Sequence, residues 1–149
     1  CVGSGGHFAA LSTWLKSVNP KIKTFAIDRI GSMTFGGKSG PSKLRGFGNN
    51  IGIPKVFAAY AHLVDGVETV DEGESFRACR NLGNHGCFVG GSSGAAFLAS
   101  SRISARLGGP VLTLFPDRGD IYSTTIWNDD WMYDNGFMKR GKENGFERA

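Results

Sequence analysis

The stretch Cys1-Val2-Gly3-Ser4-Gly5-Gly6-His7 opens the pattern that decides the fold. Its first two residues are typical of a strand end, and the glycines that follow predict a sharp turn. Apolar residues at helical spacing then predict a helix over residues 7–17, which Asn19-Pro20 ends. The β-rich run 23–28 predicts a buried strand. A strand, a glycine turn, a helix and a second strand form a βαβ unit.

The middle of the chain continues this alternation. Residues 29–54 are rich in Gly, Ser and Lys, which indicates an irregular, partly functional loop region. Residues 55–61 predict a short helix, and residues 66–70 a second strand. Asp71, with Glu74 three residues later, is typical of a reciprocal capping pattern. We expect the helix that follows it to end near Gly83 or Gly86.

The last third adds the strongest strand pattern of the sequence. Residues 95–107 predict an Ala-containing helix, and residues 110–115 predict a central parallel strand because they are apolar on both faces. Residues 122–133 predict a further helix. We therefore expect one α/β domain over residues 1–138, with a mostly parallel sheet flanked by helices, and a polar tail at 139–149.

The composition excludes several classes of function. The net charge of +4 comes from scattered Lys and Arg rather than a basic stripe with aromatics, so we expect no nucleic acid. No run of about 18 apolar residues predicts a membrane span. Three cysteines, Cys1, Cys79 and Cys87, fit neither a disulfide framework nor a metal site. Cys79 and Cys87 are expected in or near the core, and the compartment is expected to be cytoplasmic.

The turn at residues 3–7 is a candidate anion site. Glycines between a strand and a helix let backbone N–H groups converge on a phosphate, and the helix start adds a partial positive charge. The pattern G-x-G-G lacks the third glycine of the dinucleotide fingerprint and the lysine of a P-loop. By itself, it is equally compatible with a tight turn that binds nothing.

A second glycine turn, Gly90-Gly91-Ser92-Ser93-Gly94, precedes the predicted helix 95–107. Ser92 or Ser93 is suited to cap that helix through its side-chain oxygen. Alternatively, a serine hydroxyl at a helix start points to a ligand, because open α/β sheets bind ligands at the carboxyl ends of their strands. Two such turns in one short domain favour a real site.

The order of these motifs resembles a known enzyme family. The matching positions, in chain order, are Gly3-Ser4-Gly5-Gly6, Asp28 with Gly31-Ser32, Arg45-Gly46-Phe47-Gly48 before Ile53-Pro54, Asp65, residues 90–94, Pro116-Asp117 and Tyr122. They resemble the C-terminal half of fold-type II pyridoxal-phosphate (PLP) enzymes of the cysteine synthase and cystathionine β-synthase type. The ending, residues 130–137, is most similar to the cystathionine β-synthase branch. The resemblance implies part of a three-layer, tryptophan-synthase-β-like fold.

The resemblance also implies site residues. The cofactor phosphate would be cradled by a contiguous set, Gly3, Ser4, Gly5, Gly6 and His7. Ser92 would hydrogen-bond the pyridine nitrogen, and Asp117 would lie in the loop behind it. A neutral serine there favours β-elimination and β-replacement over deeper carbanion chemistry. The substrate mouth would be formed by Gly46, Phe47, Gly48 and Asn49.

Three positions depart from the family pattern. His7 stands where a threonine is usual, and is expected to face solvent. Asn49 occupies a position that varies with substrate, and Ile121 replaces a basic residue before Tyr122.

The family's Schiff-base lysine precedes the phosphate loop, and none of Lys16, Lys21 or Lys23 lies in a matching context. The resemblance thus implies a β-replacement or β-elimination enzyme acting on serine or an activated serine, and homodimeric when complete. This chain would contain no catalytic residue and would be inactive without the N-terminal half of the fold.

Other interpretations stay open at this point. A non-catalytic phosphate- or nucleotide-binding module would explain both glycine turns but not the ordered motifs up to Tyr122. A pseudoenzyme that pairs with an active relative is a second alternative. A fragment of a longer protein is a third, since a strand end followed at once by a functional turn is an unusual start for a chain.

Overall fold

Two parallel strands form the sheet of the described residues. The computed structural model describes residues 1–139. Strand β1, Phe25–Arg29, pairs with strand β2, Gly66–Val70, in a register that joins Phe25 to Gly66 and Arg29 to Val70. The prediction for residues 66–70 is confirmed, and the strand predicted at 23–28 begins two residues later. The α/β class with a parallel sheet is confirmed.

The described part of the chain contains five α-helices. They are α1 (Gly6–Val18), α2 (Lys55–Ala58), α3 (Glu72–Asn84), α4 (Gly91–Leu107) and α5 (Asp129–Asp134), and two 3-10 helices lie at Ala61–Leu63 and Gly119–Tyr122. Helix α4 packs on both strands. The predicted helix 55–61 is thus shorter, and a 3-10 helix follows it. The irregular loop predicted before it contains no helix or strand between residues 30 and 54.

Val2 lies beside β1 but is not part of a strand. Its N–H donates to the carbonyl oxygen of Ile27 at 3.0 Å, and its own carbonyl oxygen accepts from Gly48 N–H at 2.9 Å. The strand end predicted at Cys1-Val2 is therefore wrong as secondary structure, because the hydrogen bonds of Val2 are divided between β1 and a loop rather than forming a ladder.

Helices α3 and α4 pack together with almost no space between their backbones. A Cβ atom on Gly94 of α4 would lie 2.1 Å from the carbonyl oxygen of Ser75 in α3. The Asp71 carboxylate caps α3 by accepting from Glu74 N–H at 3.0 Å, which confirms half of the predicted capping pattern. The Glu74 side chain instead accepts from Arg102 of α4 at 2.8 Å, so it joins the two helices.

The main core lies between these helices and residues 122–138. Its fully buried members include Phe76, Cys79 and Met132. The Cys79 thiol donates to the carbonyl oxygen of Val89, and burial, with the charge of Asp117, raises the pKa of that thiol to about 12. Cys87 is exposed, so its predicted place near the core is wrong: it follows the end of α3, where the chain turns outward.

A smaller core fixes the start of α1. Phe57 of α2 is fully buried, and the rings of Phe8 and Phe35 each meet it edge-on with centroids 5.4 Å away. Val2 and Ala26 complete the cluster. This packing places the first turn of α1 against the irregular loop.

The predicted central strand at residues 110–115 is wrong within the described residues. The segment pairs with neither β1 nor β2, and Leu112 is 89% exposed, with Leu114 and Phe115 also exposed. An apolar run becomes a strand only where neighbouring strands accept its backbone hydrogen bonds, and residues 1–139 offer none here.

The single helix predicted at residues 122–133 is also wrong. The Gly119–Tyr122 3-10 helix ends there, turns follow, and α5 begins only after Asn128, whose side chain accepts from Trp131 N–H at 2.9 Å. Because the Asn128 side chain caps a new helix start, a single helix does not continue through this position. The division into a domain and a polar tail stays a prediction, since residues 140–149 lie outside the described residues. None of the described helices is both long and apolar enough to cross a bilayer.

Candidate functional site

The start of α1 presents free backbone donors. Gly5 caps the helix in a left-handed conformation, φ 88°, and no side chain caps it. Among the described residues, no backbone oxygen accepts a hydrogen bond from the N–H groups of residues 3–8. Together with the helix dipole, such a set of unsatisfied donors favours an anion. Ser4 and His7 are exposed at this turn, as expected for His7.

The predicted mouth segment connects this turn to Ser92. A Cβ atom on Gly3 would lie 3.0 Å from the carbonyl oxygen of Gly46. A Cβ atom on Gly46, where φ is 95°, would lie 3.8 Å from Cβ of Ser92. The Cys1 thiol also donates to the Ser92 carbonyl oxygen at 3.4 Å. The structure therefore brings the turn at residues 3–7, Gly46 and Ser92 together.

Ser92 lies inside the first turn of α4, not before it. The helix begins four residues earlier than predicted, its N-cap is Gly90, and no side chain caps it, so the capping role of Ser92 or Ser93 is wrong. Ser92 is only 5% exposed as a residue, and its hydroxyl forms no hydrogen bond with residues 1–139, but that oxygen is not among the fully buried atoms without a partner. A hydroxyl at a helix start that keeps its hydrogen-bonding capacity and some access to solvent is suited to a ligand.

Asp117 and Tyr122 support this turn from behind. The Tyr122 hydroxyl donates to Asp117 Oδ2 at 2.5 Å, and the Ser93 hydroxyl donates to Oδ1 at 3.4 Å. Burial, with the hydrogen bond to Asp117, raises the pKa of Tyr122 to about 12, so its hydroxyl stays a donor at neutral pH. The predicted place of Asp117 is confirmed. The hydrogen bond from Tyr122 to Asp117 was not predicted from the sequence.

Asn49 is held within the irregular loop. Its amide nitrogen donates to Thr34 Oγ1 at 2.8 Å, and its backbone N–H donates to Ser32 Oγ at 3.1 Å. Both acceptors are buried. Asn49 is therefore bonded within the loop, and its contact with Thr34 was not predicted from the sequence.

These features define a class of protein. An α/β domain whose helix start offers free donors, next to a serine hydroxyl without a hydrogen-bond partner, is suited to a ligand with an anionic group and a further polar atom. Residues 1–117 match the family model described as "Pyridoxal-phosphate dependent enzyme". The chain belongs to this family, and the cofactor of the family is PLP.

Comparison with individual proteins shows which members of this family the chain resembles. The chain is 40% identical over 124 residues to the cysteine synthase of Helicobacter pylori, covering 81% of this chain and 40% of that protein. It is 34% identical over 134 residues to the N-(2-amino-2-carboxyethyl)-L-glutamate synthase of Ralstonia nicotianae, covering 88% and 39%. The resemblance to cysteine synthases is confirmed.

Two solved structures have a fold similar to that of this chain. The O-acetylserine dependent cystathionine β-synthase of Helicobacter pylori matches with a TM-score of 0.76 and 39% identity, over 83% of this chain and 40% of that one. A hydrogen sulfide-producing enzyme from Fusobacterium nucleatum matches with a TM-score of 0.75 and 32% identity, over 81% and 41%. The chain thus spans about 40% of the length of the relatives that it matches.

Proposed function

We propose that this chain is the cofactor-binding C-terminal portion of an enzyme that catalyses β-replacement or β-elimination on serine or an activated serine. The observation that carries this proposal is the meeting of three parts: the free donors of residues 3–8, Gly46, and the unpartnered hydroxyl of Ser92. PLP, when bound, supplies the electron sink for the chemistry.

Each part has a role toward the cofactor. The backbone N–H groups of the turn hold the phosphate, and the Ser4 hydroxyl adds a donor; the full set is Gly3, Ser4, Gly5, Gly6 and His7. The Ser92 hydroxyl holds the ring nitrogen. A hydroxyl is neutral and does not keep that nitrogen protonated, which favours chemistry at the β-carbon. Asp117 acts through Ser93 and Gly90 by fixing the turn, so it is a positioning residue.

The overall reaction balances without a redox step. The bond between the β-carbon and its oxygen substituent breaks, and the oxygen leaves with the electron pair. In β-replacement, a thiol or amine forms a new bond to that carbon and gives up its proton, which balances the charge of the leaving oxygen. The names of the relatives include one sulfur-containing amino acid and one amine adduct. Both products are compatible with this proposal.

The remaining part of the fold is proposed to complete the enzyme. The relatives are more than twice as long as the matched region. The exposed apolar segment 110–115 is suited to be covered by further strands, as the sequence pattern of a central strand predicts. We infer that an N-terminal half covers it and supplies the Schiff-base lysine. The isolated chain is then inactive, and the complete protein is a cytoplasmic homodimer.

The proposal is tested by titrating PLP into the full-length protein and its serine variants. Ser4→Ala is expected to weaken binding by about tenfold, the worth of one charge-assisted hydrogen bond. Ser92→Ala is expected to lower β-replacement with O-acetylserine and to shift the visible spectrum of the bound cofactor. Ser101→Ala, an exposed serine of the same helix α4, is the control and leaves both unchanged.

Other outcomes would contradict specific parts of the proposal. Thermal stabilisation by nucleotides but not by PLP would favour the non-catalytic nucleotide-binding module. If the isolated chain formed a stoichiometric adduct with PLP, trapped by borohydride on Lys16, Lys21 or Lys23, its proposed inactivity would be wrong.

A further inference from the structure

Arg29, the last residue of β1, is a buried cation that forms no ion pair with residues 1–139. It is 8% exposed. Its Nη1 donates to the carbonyl oxygen of Ile30 and its Nη2 donates to Asn50 Oδ1, both at 3.3 Å. In the described part of the chain, its Nε is the one fully buried side-chain nitrogen or oxygen without a hydrogen-bond partner.

The neighbouring carboxylate does not change this picture. Asp28 is also buried, but its Oδ1 accepts from the backbone N–H of Arg29 at 2.9 Å rather than from the guanidinium. Burial of a charge that lacks an ion-pair partner costs free energy. Stability therefore does not account for an arginine at this position, and its contacts with the loop above it are the features that remain.

The predicted mouth segment, residues 46–49, passes directly over the Arg29 side chain. A Cβ atom on Gly48, where φ is 71°, would lie 2.8 Å from both Cγ and Nε of Arg29. The N–H of Gly48 donates to the carbonyl oxygen of Val2 at 2.9 Å. The backbone of the segment is thus held between Arg29 and Val2, with no space for a side chain.

Arg29 also connects the two ends of the irregular loop. Ile30 begins that loop, and Asn50, 21 residues after Arg29, lies near its end. Gly46 of the same loop lies beside Ser92. A side chain that joins the ends of the loop therefore determines where the mouth segment lies relative to the candidate cofactor site.

We propose that Arg29 is a positioning residue for the amino-acid substrate, because it fixes residues 46–49 at the mouth of the site. It lies at the carboxyl end of β1, where parallel α/β sheets bind their ligands. Its hydrogen bonds go to the loop and not to the turn at residues 3–7 or to Ser92. This inference rests on the proposed function, since a substrate mouth requires a site that acts on an amino acid.

The test measures the two substrates separately in the full-length holoenzyme. Arg29→Met keeps a long side chain but removes both hydrogen bonds, and is expected to raise the KM for O-acetylserine by about tenfold with kcat nearly unchanged. The KM for sulfide, the PLP affinity and the visible spectrum should stay the same. Arg29→Lys keeps the charge without the planar fork and should have an intermediate KM. Arg106→Met, at an exposed arginine of α4, is the matched control and changes none of these values.

A second variant removes the same hydrogen bond from the loop side. Asn50→Ala is expected to raise the KM for O-acetylserine by about threefold, and to add little in the Arg29→Met background because the two residues share one bond. Asn50 is exposed, so this variant tests the proposal even if Arg29→Met does not fold. Asn81→Ala, at an exposed asparagine of α3, is its control.

Hydrogen exchange of the full-length protein gives a readout that does not depend on turnover. Both loop variants are expected to speed the exchange of Gly48 and Asn49 N–H by about tenfold and to leave α3 and α4 unchanged. The thermal midpoint of Arg29→Met should stay the same or rise, because a buried charge without an ion-pair partner is removed. A purely structural residue would instead lower the midpoint and speed exchange throughout.

The outcomes separate the two proposals. If O-acetylserine and sulfide are turned over but neither Arg29→Met nor Asn50→Ala changes the KM for O-acetylserine, the positioning role is overturned and the proposed function stands. A loss of PLP affinity as large as the rise in KM, or faster exchange across the whole protein, would also overturn it. If the full-length protein neither binds PLP nor turns over O-acetylserine, the proposed function fails, and the substrate role of Arg29 fails with it.

Discussion

The turns before α1 and α4 look alike in sequence but use glycine differently. At α1, Gly5 adopts a left-handed conformation, and the N–H groups of residues 3–8 bond to no backbone oxygen in the described chain. At α4, Gly90 is extended, and its carbonyl oxygen accepts from both Ser93 and Gly94 N–H. Both N-cap carbonyl oxygens accept from the N–H group four residues later, but only the second turn also bonds the N–H group three residues later, and its residues are buried. A glycine-rich helix start is therefore not by itself a phosphate site.

The largest effect is expected from a variant that disrupts the turn before α4. In Gly94→Ala, the new Cβ would lie 2.1 Å from the Ser75 carbonyl oxygen, so helices α3 and α4 must separate. We expect a loss of about 3 kcal/mol or more in the free energy of unfolding, measured with urea. Gly109→Ala is the control, because nothing lies within 4 Å of its Cβ position. Equal unfolding midpoints for the two variants would show that the helix contact is loose.

The second largest effect is expected from a variant that disrupts the turn before α1. Gly5→Ala combines a φ of 88° with a Cβ only 2.3 Å from Cβ of the buried Phe57. We expect a loss of about 2 to 4 kcal/mol from backbone strain plus overpacking, and weaker PLP binding because the donors of the turn shift. Unfolding and PLP titrations measure the two effects.

Gly36→Ala separates the two causes, since Gly36 has a φ of 82° but nothing within 4 Å of its Cβ position. It should cost only the conformational part, about 1 to 2 kcal/mol, and leave PLP binding unchanged. If Gly36→Ala destabilised as strongly as Gly5→Ala, the contact with Phe57 would not matter.

Local signals explain which elements were predictable. The strand Gly66–Val70 and the cap Asp71 depend on neighbours a few residues away, and both were predicted correctly. The start of α4 was not, because Ser93 bonds to Asp117, 24 residues along the chain, rather than to its own helix. The prediction of a strand at residues 110–115 was wrong for a related reason. Its apolar pattern is typical of a buried strand, and residues 1–139 do not bury it.

The candidate site shows the same difference between what local sequence signals predict and what contacts distant in the chain decide. Gly3, Gly46 and Ser92 were grouped by their motif order, and the structure brings them together. The contact of Asn49 with Thr34 depends on how the loop folds back on itself in space, which no spacing in the sequence encodes.

The smallest expected effect concerns Asp65, which accepts a hydrogen bond from Lys16 in the last turn of α1. Burial alone would raise the pKa of Asp65, but hydrogen bonds from Lys16, Thr24 N–H and Lys23 outweigh it and lower the pKa from 3.8 to about 2. The folded pKa is thus below the unfolded one. The stabilisation is present above about pH 4 and is lost as the pH falls toward 2.

Asp65→Asn should remove that pH dependence and lower the free energy of unfolding at neutral pH by about 1 kcal/mol, since the pair is partly exposed to solvent. Urea unfolding at several pH values measures both effects. Lys23→Gln is a graded control, because Lys23 is 65% exposed and its contact is 3.3 Å, against 2.6 Å for Lys16. PLP affinity should not change in Asp65→Asn. If it did, the donors of residues 3–8 would depend on the anchoring of the whole helix, and the contrast between the two glycine turns would no longer be local.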